Sequence, residues 1–509
     1  MKRNTIILCF FVLLKFVLQY LLINPVYDLH RDEYLYLDQA KHLAWGYMSV
    51  PPLTSWVSYI IMLLGNSEFW VKFFPALFGA LTVAVVWKTI ETLKGNLFAL
   101  LLASCAITFS AILRINILYQ PNSFDVLAWT AFYSCIIHYI VTSKNKWLLY
   151  AAVVMALGFL NKYNVVFMLI GLLPAILLTP QRKIFSNRYT YLAAALAFII
   201  VLPNLIWQYQ NGFPVRHHME LLSSTQLENN DRLNFVKEQL LFFISSWFVI
   251  IAGLVAMFIY QPLKKFQFFF WSLLITLAVF IYLKAKGYYA IGLYPIYLVF
   301  GSIYLENLFA NGWKKYLKPV TIIIVIALSI PMLRIAFPTM SPEQTAEQSQ
   351  RYKSFGLLRW EDGKEHEMPQ DFADMLGWKE LAAKVDSLYA TLDTSNTLVY
   401  CDNYGETGAI NYYSKFKHIN AVSENADYLH WFNFSKPISN IIMVKDEYDD
   451  DIQRTREKAF FDTVMLIGKI ENKYAREYGT RIYLLRHANI NVGDTLKREI
   501  EEDLEEWKH

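Results

Sequence analysis

Asp32 and Glu33 stand side by side just beyond the first apolar run of the chain, in Asp28-Leu29-His30-Arg31-Asp32-Glu33-Tyr34. Adjacent residues of a helix do not share a face, so one carboxylate can point into a cavity while the other caps, pairs or meets solvent. Carboxylates beside a membrane are costly to desolvate, which favours chemistry over packing. The chemistry on offer is general-base work, taking a proton from a hydroxyl. The structural alternative is that both acids open an amphipathic stretch over residues 31–45, since acids stabilise a helix N-terminus. Trp45, Tyr47 and Pro51-Pro52 follow closely and make a rigid, ring-lined loop.

Three further groups carry polar residues at the edges of apolar runs. Tyr119-Gln120-Pro121-Asn122-Ser123-Phe124-Asp125 opens one of them, where Pro121 suits a first helical turn and Asn122 or Asp125 can satisfy free backbone donors. Leu160-Asn161-Lys162-Tyr163 sets a single lysine at the end of a hairpin of runs. Lys284-Ala285-Lys286-Gly287-Tyr288-Tyr289 marks another edge, where tyrosines also serve as an interfacial belt in any membrane protein. Arg216-His217-His218 has some metal-site character, but neighbouring histidines are poor ligand spacing and no acid stands at a fixed distance. A divalent metal is therefore unsupported by spacing, and no cofactor is specified.

The elements that position these groups follow from composition. Of 509 residues, 55% are hydrophobic and 18% charged, too apolar for an ordinary soluble domain. Runs of roughly 20 apolar residues are needed to cross a bilayer, fewer where a helix lies among others. Candidate spans fall at residues 5–24, 69–90, 97–113, 124–142, 147–160, 165–179, 189–207, 236–260, 266–283, 288–309 and 320–333. The expected fold is thus mainly α, a polytopic bundle of about eleven spans.

Lysines and arginines orient it. Met1-Lys2-Arg3 holds the N-terminus in the cytoplasm, with an uncleaved first helix preferred to a removed signal peptide. Lys88, Lys94, Lys144, Lys146, Arg182, Lys183, Arg188, Lys264, Lys265, Lys314, Lys315 and Lys318 then all fall on the cytoplasmic side. An odd span number places the C-terminus outside. The cations left on the outer face include Arg31, Lys41, Lys72, Arg114, Lys162, Arg216, Lys284 and Lys286. Charge set against the insertion bias suits an outer face that handles an anion, although headgroup contact explains any single case equally well. Lys15 lies within the first span without an evident partner.

After Leu333 hydropathy falls, and Phe337-Pro338-Thr339-Met340-Ser341-Pro342 reads as a linker. The expected division is a membrane domain at 1–335 and an extracytoplasmic α/β domain at 336–509. In the latter, 372–389 and 405–413 have helical character, 397–401, 438–444, 462–467 and 481–485 read as strands, and 492–508 as a solvated or frayed helix. Cys9, Cys105, Cys135 and Cys401 show no disulfide spacing. Glycine-rich phosphate loops and nucleic-acid signatures are absent, which disfavours a nucleotide-sugar donor and a nucleic-acid partner.

The ordered set Asp32-Glu33-x-x-Tyr36, His42-Leu43-Ala44-Trp45-Gly46-Tyr47, Pro51-Pro52-Leu53, Phe73-Phe74-Pro75-Ala76-Leu77-Phe78-Gly79, Leu160-Asn161-Lys162-Tyr163, Pro203-Asn204-Leu205-Ile206-Trp207, Asn211-Gly212-Phe213-Pro214 and Lys286-Gly287-Tyr288-Tyr289 resembles the GT-C superfamily. Within it, the likeness is to protein O-mannosyltransferase-like and aminoarabinose-transferase-like membrane glycosyltransferases, glycosyltransferase family 39 in type. The resemblance implies a polyprenyl-phosphate-linked sugar donor, a lipid, envelope-glycan or protein acceptor, and work at the outer face of a bacterial plasma (inner) membrane. It places the catalytic carboxylate on Asp32, with Glu33 orienting it or binding sugar hydroxyls. Lys162, Lys286 and Arg114 would neutralise the leaving phosphate. Tyr36, Tyr47, Asn122, Asp125, His218, Tyr288 and Tyr289 are the remaining substrate-binding candidates. One departure stands out: members often carry an aspartate where Asn122 falls here, with Asp125 as a substitute three residues on. The competing class is a transporter or lipid flippase, which tends to show repeated halves; none is found in the sequence. A polymerase or ligase of envelope glycans would share the donor chemistry.

Overall fold

The computed structural model describes residues 2–225, 227 and 230–507, so the Met1 end of the basic flank and Lys508 lie outside the described residues. Among them, six helices are long and apolar enough to cross a membrane: Arg3–Leu21, Glu68–Thr92, Pro121–Thr142, Arg188–Gln210, Gln261–Tyr282 and Gly312–Ala336. Three bent pairs raise the number to nine if each counts as one span. Leu97–Thr108 and Lys146–Asn161, which hydropathy had counted as spans, are shorter apolar helices.

Residues 236–260 are not one straight span. Arg232–Phe242 and Trp247–Ile259 meet at 98°. The bend is stitched to a neighbouring turn, because Ala111 N–H donates to the Phe242 carbonyl at 3.0 Å and the Ser245 hydroxyl to the Phe109 carbonyl at 3.1 Å. Backbone groups freed by a break inside a bundle must find such partners, since lipid offers none. The Arg232–Phe242 arm then reaches the Gly287 turn, where Gln239 Nε2 donates to the Gly287 carbonyl at 3.0 Å. Elsewhere the bundle is held by close approach. A Cβ on Gly301 would collide with the Val249 carbonyl and one on Gly253 with that of Tyr297, so Trp247–Ile259 and Pro295–Leu308 pack backbone to backbone.

Lys15 has a partner. Its Nζ donates to Asn116 Oδ1 at 2.7 Å, and Asn116 Nδ2 donates to the Ser123 hydroxyl at 2.6 Å. The first helix is thereby tied to the segment that leads into Pro121–Thr142 and to the first turn of that helix. The loop after the first helix contains two helices, Arg31–Asp38 and Leu53–Leu63, and the amphipathic stretch expected over 31–45 stops at Asp38 as an α-helix.

Beyond the bundle lies a five-stranded sheet: β1 (Thr397–Cys401), β2 (Ala421–Val422), β3 (Asn440–Lys445), β4 (Phe461–Lys469) and β5 (Arg481–Ala488), in the order β2-β1-β3-β5-β4. The first three strands of that order are parallel, and β5 pairs antiparallel with β3 and β4. Strand alternation separates two layers. Val399, Cys401, Ile442 and Val444 pack with Trp378, Leu381 and Ile410, while Ile441, Met443 and Tyr483 pack with Val492 of the last helix, Val492–Glu506. The helix expected over 372–389 is interrupted, because Gly377 at φ +87° separates Gln370–Ala373 from Trp378–Tyr389. The first of these layers extends to the N-terminal part of the chain, since Tyr27, Leu29, Tyr34 and Leu37 of the loop after the first helix belong to the same core.

Candidate active site

His30 caps the helix Arg31–Asp38, and Glu33 closes the capping box, its Oε2 accepting from His30 N–H at 2.6 Å. Glu33 Oε1 accepts from Tyr119 N–H at 2.5 Å, so this buried carboxylate joins the loop after the first helix to the loop before Pro121–Thr142. Burial pushes it above the usual carboxylate range, opposed by the two amides. Asp32 points elsewhere and is half-buried. Its Oδ1 accepts from the Tyr404 hydroxyl at 2.7 Å and its Oδ2 from Gln120 Nε2 at 3.0 Å. The two acids thus divide as adjacency on a helix requires: Glu33 builds the loop, and Asp32, with one donor on each oxygen, keeps lone pairs open to further donors.

The loop before Pro121–Thr142 continues the network. Gln120 sits at the N-cap of the span Pro121–Thr142, with Pro121 in the first turn. Gln120 Oε1 accepts from Asn122 Nδ2 at 2.9 Å, and Asn122 Oδ1 accepts from Lys162 Nζ at 2.7 Å. Two amides therefore link Lys162 to Asp32. Lys162 also lies 4.3 Å from the centre of the Tyr289 ring and 5.1 Å from that of Tyr288. Burial lowers its ammonium to about 8, with Asp125 opposing and Lys286 adding to the fall. Asp125 itself is buried, accepting from Trp129 Nε1 at 2.9 Å and Asn164 Nδ2 at 2.8 Å. Asn164 in turn donates to the Tyr289 carbonyl at 3.0 Å, so Asp125 braces the tyrosine turn.

Lys286 Nζ meets Glu361 Oε1 at 2.6 Å. Burial works against the Lys286 charge, but Glu361, Tyr289 and Asp32 outweigh it and hold the lysine above its ordinary range. Burial also disfavours the Glu361 charge, yet Lys286 and Gln370 bring that carboxyl down to about 2. His218 faces Lys286; burial and that lysine lower it to about 4, leaving a neutral imidazole at neutral pH. Tyr36 lies among Asp32, Tyr404 and Tyr289, its hydroxyl kept protonated by burial and by Asp32.

Two candidates face other tasks. Arg114 is turned to the C-terminal domain, 3.5 Å from Asp371 and 5.7 Å from the Phe372 ring centre. Tyr47 pins its own loop, its hydroxyl donating to the His42 carbonyl at 3.0 Å and accepting from Ala44 N–H at 3.2 Å. His217 packs against Trp507, with ring centres 4.3 Å apart. Among the described residues no group of three or more His, Cys, Asp or Glu side chains comes together as a metal site. Three residues at the site had no role assigned from sequence: Gln120, Glu361 and Tyr404. Gln120 lay inside a motif of interest, but Tyr404 and Glu361 stand in the C-terminal region, and no local pattern points from there to Asp32.

The crystal structure of ArnT from Cupriavidus metallidurans in the apo state matches with a TM-score of 0.62 at 13% identity, covering 96% of this chain and 98% of that one. ArnT of the same organism bound to undecaprenyl phosphate matches at 0.60 and 11%, covering 94% and 97%. The family described as dolichyl-phosphate-mannose-protein mannosyltransferase matches residues 49–207. The chain has the fold of ArnT, and its segment 49–207 resembles that mannosyltransferase family.

The chain is also similar to the lipid A galacturonosyltransferase RgtD of Rhizobium johnstonii, 27% identical over 237 residues, which are 44% of this chain and 49% of that protein. The chain therefore aligns with about half the length of this relative. The matched family segment contains Gln120, Asn122 and Lys162, while Asp32 precedes it and Lys286 follows it. The transporter reading finds no support in any of these likenesses.

Proposed function

We propose that this chain is a GT-C glycosyltransferase that transfers a sugar from a polyprenyl-phosphate carrier to an acceptor hydroxyl at the outer face of the bacterial inner membrane, inverting the anomeric carbon. One observation carries the reading: a half-buried carboxylate, Asp32, is linked through Gln120 and Asn122 to Lys162, with Lys286 in the same charged group. The acceptor oxygen attacks the anomeric carbon and the bond from that carbon to the phosphate oxygen breaks. Asp32 takes the acceptor proton, and the polyprenyl phosphate leaves with the bonding electrons. Charge that builds on the leaving phosphate meets Lys162 and Lys286. Glu361 holds Lys286 when no phosphate is present, so the incoming donor competes with a carboxylate for that ammonium. Tyr36, Tyr288, Tyr289 and the neutral His218 offer hydroxyl and imidazole groups to the sugar. Asn122 serves as an uncharged link between Lys162 and Gln120, accepting from one and donating to the other.

That ArnT is seen with undecaprenyl phosphate and RgtD is a lipid A galacturonosyltransferase supports a polyprenyl donor and a lipid acceptor. The test is to incubate purified enzyme with labelled polyprenyl-phosphate sugar and measure free polyprenyl phosphate and glycosylated acceptor. Release is expected with the natural chain and absent with Asp32→Asn, which retains the side-chain shape but not the base. Turnover by folded Asp32→Asn protein would remove Asp32 from the mechanism.

A further inference from the structure

Asp32 is held from two sides, and one of them belongs to the domain outside the membrane. Tyr404 begins the helix Tyr404–Tyr413, capped by Asn403, whose Oδ1 accepts from Gly405 N–H at 2.9 Å and from Glu406 N–H at 3.1 Å. That helix lies against Arg31–Asp38 at close range because two of its residues on one face are glycines. A Cβ on Gly405 would collide with the Arg31 side chain and Trp378, and one on Gly408 with Tyr34 and the Tyr428 hydroxyl. The Arg31 guanidinium lies 4.4 Å from the centre of the Tyr404 ring. Arg31 is itself fixed at both ends, its N–H donating to the Asp374 carbonyl at 2.9 Å and its Nε lying 3.9 Å from Glu477. The ring is thus held by packing and charge that do not involve its hydroxyl, and the hydroxyl is left to reach Asp32.

We infer that Tyr404 is a positioning residue for sugar transfer, its hydroxyl and Gln120 together fixing the rotation of the Asp32 carboxylate so that the docked C-terminal domain completes the site in the membrane part. This rests on Asp32 acting as the base, as proposed above. A carboxylate with a donor on each oxygen cannot turn about its terminal bond without losing one of them, so its remaining lone pairs face a constant direction. Burial, with the Asp32 charge adding to it, keeps the phenol protonated, so it serves as a donor across the working pH range.

The test uses full-length Tyr404→Phe, which keeps the ring over Arg31 and removes only the hydroxyl. Expected is a fall in kcat of roughly 10- to 100-fold, the loss of one hydrogen bond to a charged group. The donor KM should stay within about two-fold and the thermal midpoint should stay at its wild-type value, so that the loss falls on kcat alone. Wild-type kcat would overturn the inference. So would a lower kcat that comes with a lowered thermal midpoint or a raised donor KM, since that is the mark of mere loss of packing. Asp32→Asn run beside it separates the two claims. If Asp32→Asn turns over, the base assignment fails and this inference falls with it; if it is inactive while Tyr404→Phe behaves as wild type, only the inference fails.

Discussion

A pair of adjacent acids cannot share one task when a helix sends neighbouring side chains in different directions. Glu33 spends both oxygens on main-chain amides, whereas Asp32 has side-chain donors on both and remains half-buried. Lys162 carries a prediction at the same scale. Its ammonium titrates near 8 because burial disfavours the charge, below the usual lysine range. The protonated form binds a phosphate, so donor affinity should be full below that pH and fall as pH rises through about 8. Binding of the phosphate in turn raises the lysine, so the midpoint for the complex should lie higher than for the free enzyme. Titrating donor into the protein across this range, with Lys162→Ala alongside, checks it. The variant should bind donor roughly ten-fold or more weakly, as loss of a charge-assisted contact implies, and lose this pH dependence. Equal donor affinity in the variant would assign Lys162 to lipid headgroups instead.

At the scale of elements, the site is a meeting of helix starts. Arg31–Asp38, Pro121–Thr142 and Tyr404–Tyr413 each bring a residue from at or beside the N-terminus: Asp32, Gln120 and Tyr404. The registry between the first two depends on Glu33, whose Oε1 reaches the second loop at Tyr119. Glu33→Ala should leave the buried amides of His30 and Tyr119 unpaired and cost about 1–3 kcal/mol each at most. The expected outcome is a lower thermal midpoint and a large loss of transfer, with membrane insertion retained. Glu33→Gln, which can still accept on one oxygen, should lie between. A variant Glu33→Ala with unchanged midpoint would show that the loops are held without it. Most helices and four of the five strands were legible from periodicity and hydropathy; the break within 236–260 was not. It depends on Phe109 and Ala111 accepting and donating from elsewhere in the chain, which no local pattern encodes.

Over the whole molecule, the C-terminal region and the loop after the first helix form one core, with Tyr34 set against Trp378, Tyr412 and Tyr413 at ring separations of 5.7, 6.0 and 5.8 Å. Polar ties reinforce it. Asp28 Oδ2 accepts from the amides of Trp378 at 3.1 Å and Lys379 at 3.2 Å, while Asp427 accepts from Met48 N–H at 2.7 Å and Gln39 Nε2 at 3.0 Å. Asp28→Ala should therefore weaken domain docking by about 1–3 kcal/mol, counting the buried amides and little for the half-exposed Lys379 ion pair. Limited proteolysis of the purified variant should release the C-terminal domain faster than from the natural chain, and transfer should fall with it. Unchanged proteolysis would mean that the apolar core alone holds the two parts together.

The sequence by itself determined that the chain crosses a membrane many times and that a small α/β region follows; Asp32, Lys162 and Lys286 are the groups it singled out as candidates. Apolar run length, strand alternation and charges against the insertion bias are local signals, readable one segment at a time. Only the tertiary structure decided which acid of the pair stays open, and which distant side chains hold it. Tyr404 and Asp32 lie 372 positions apart, and Glu361 and Lys286 lie 75 apart. Hydrogen bonds between such residues exist because packed helices bring their ends together, and composition or spacing along the chain carries no trace of that.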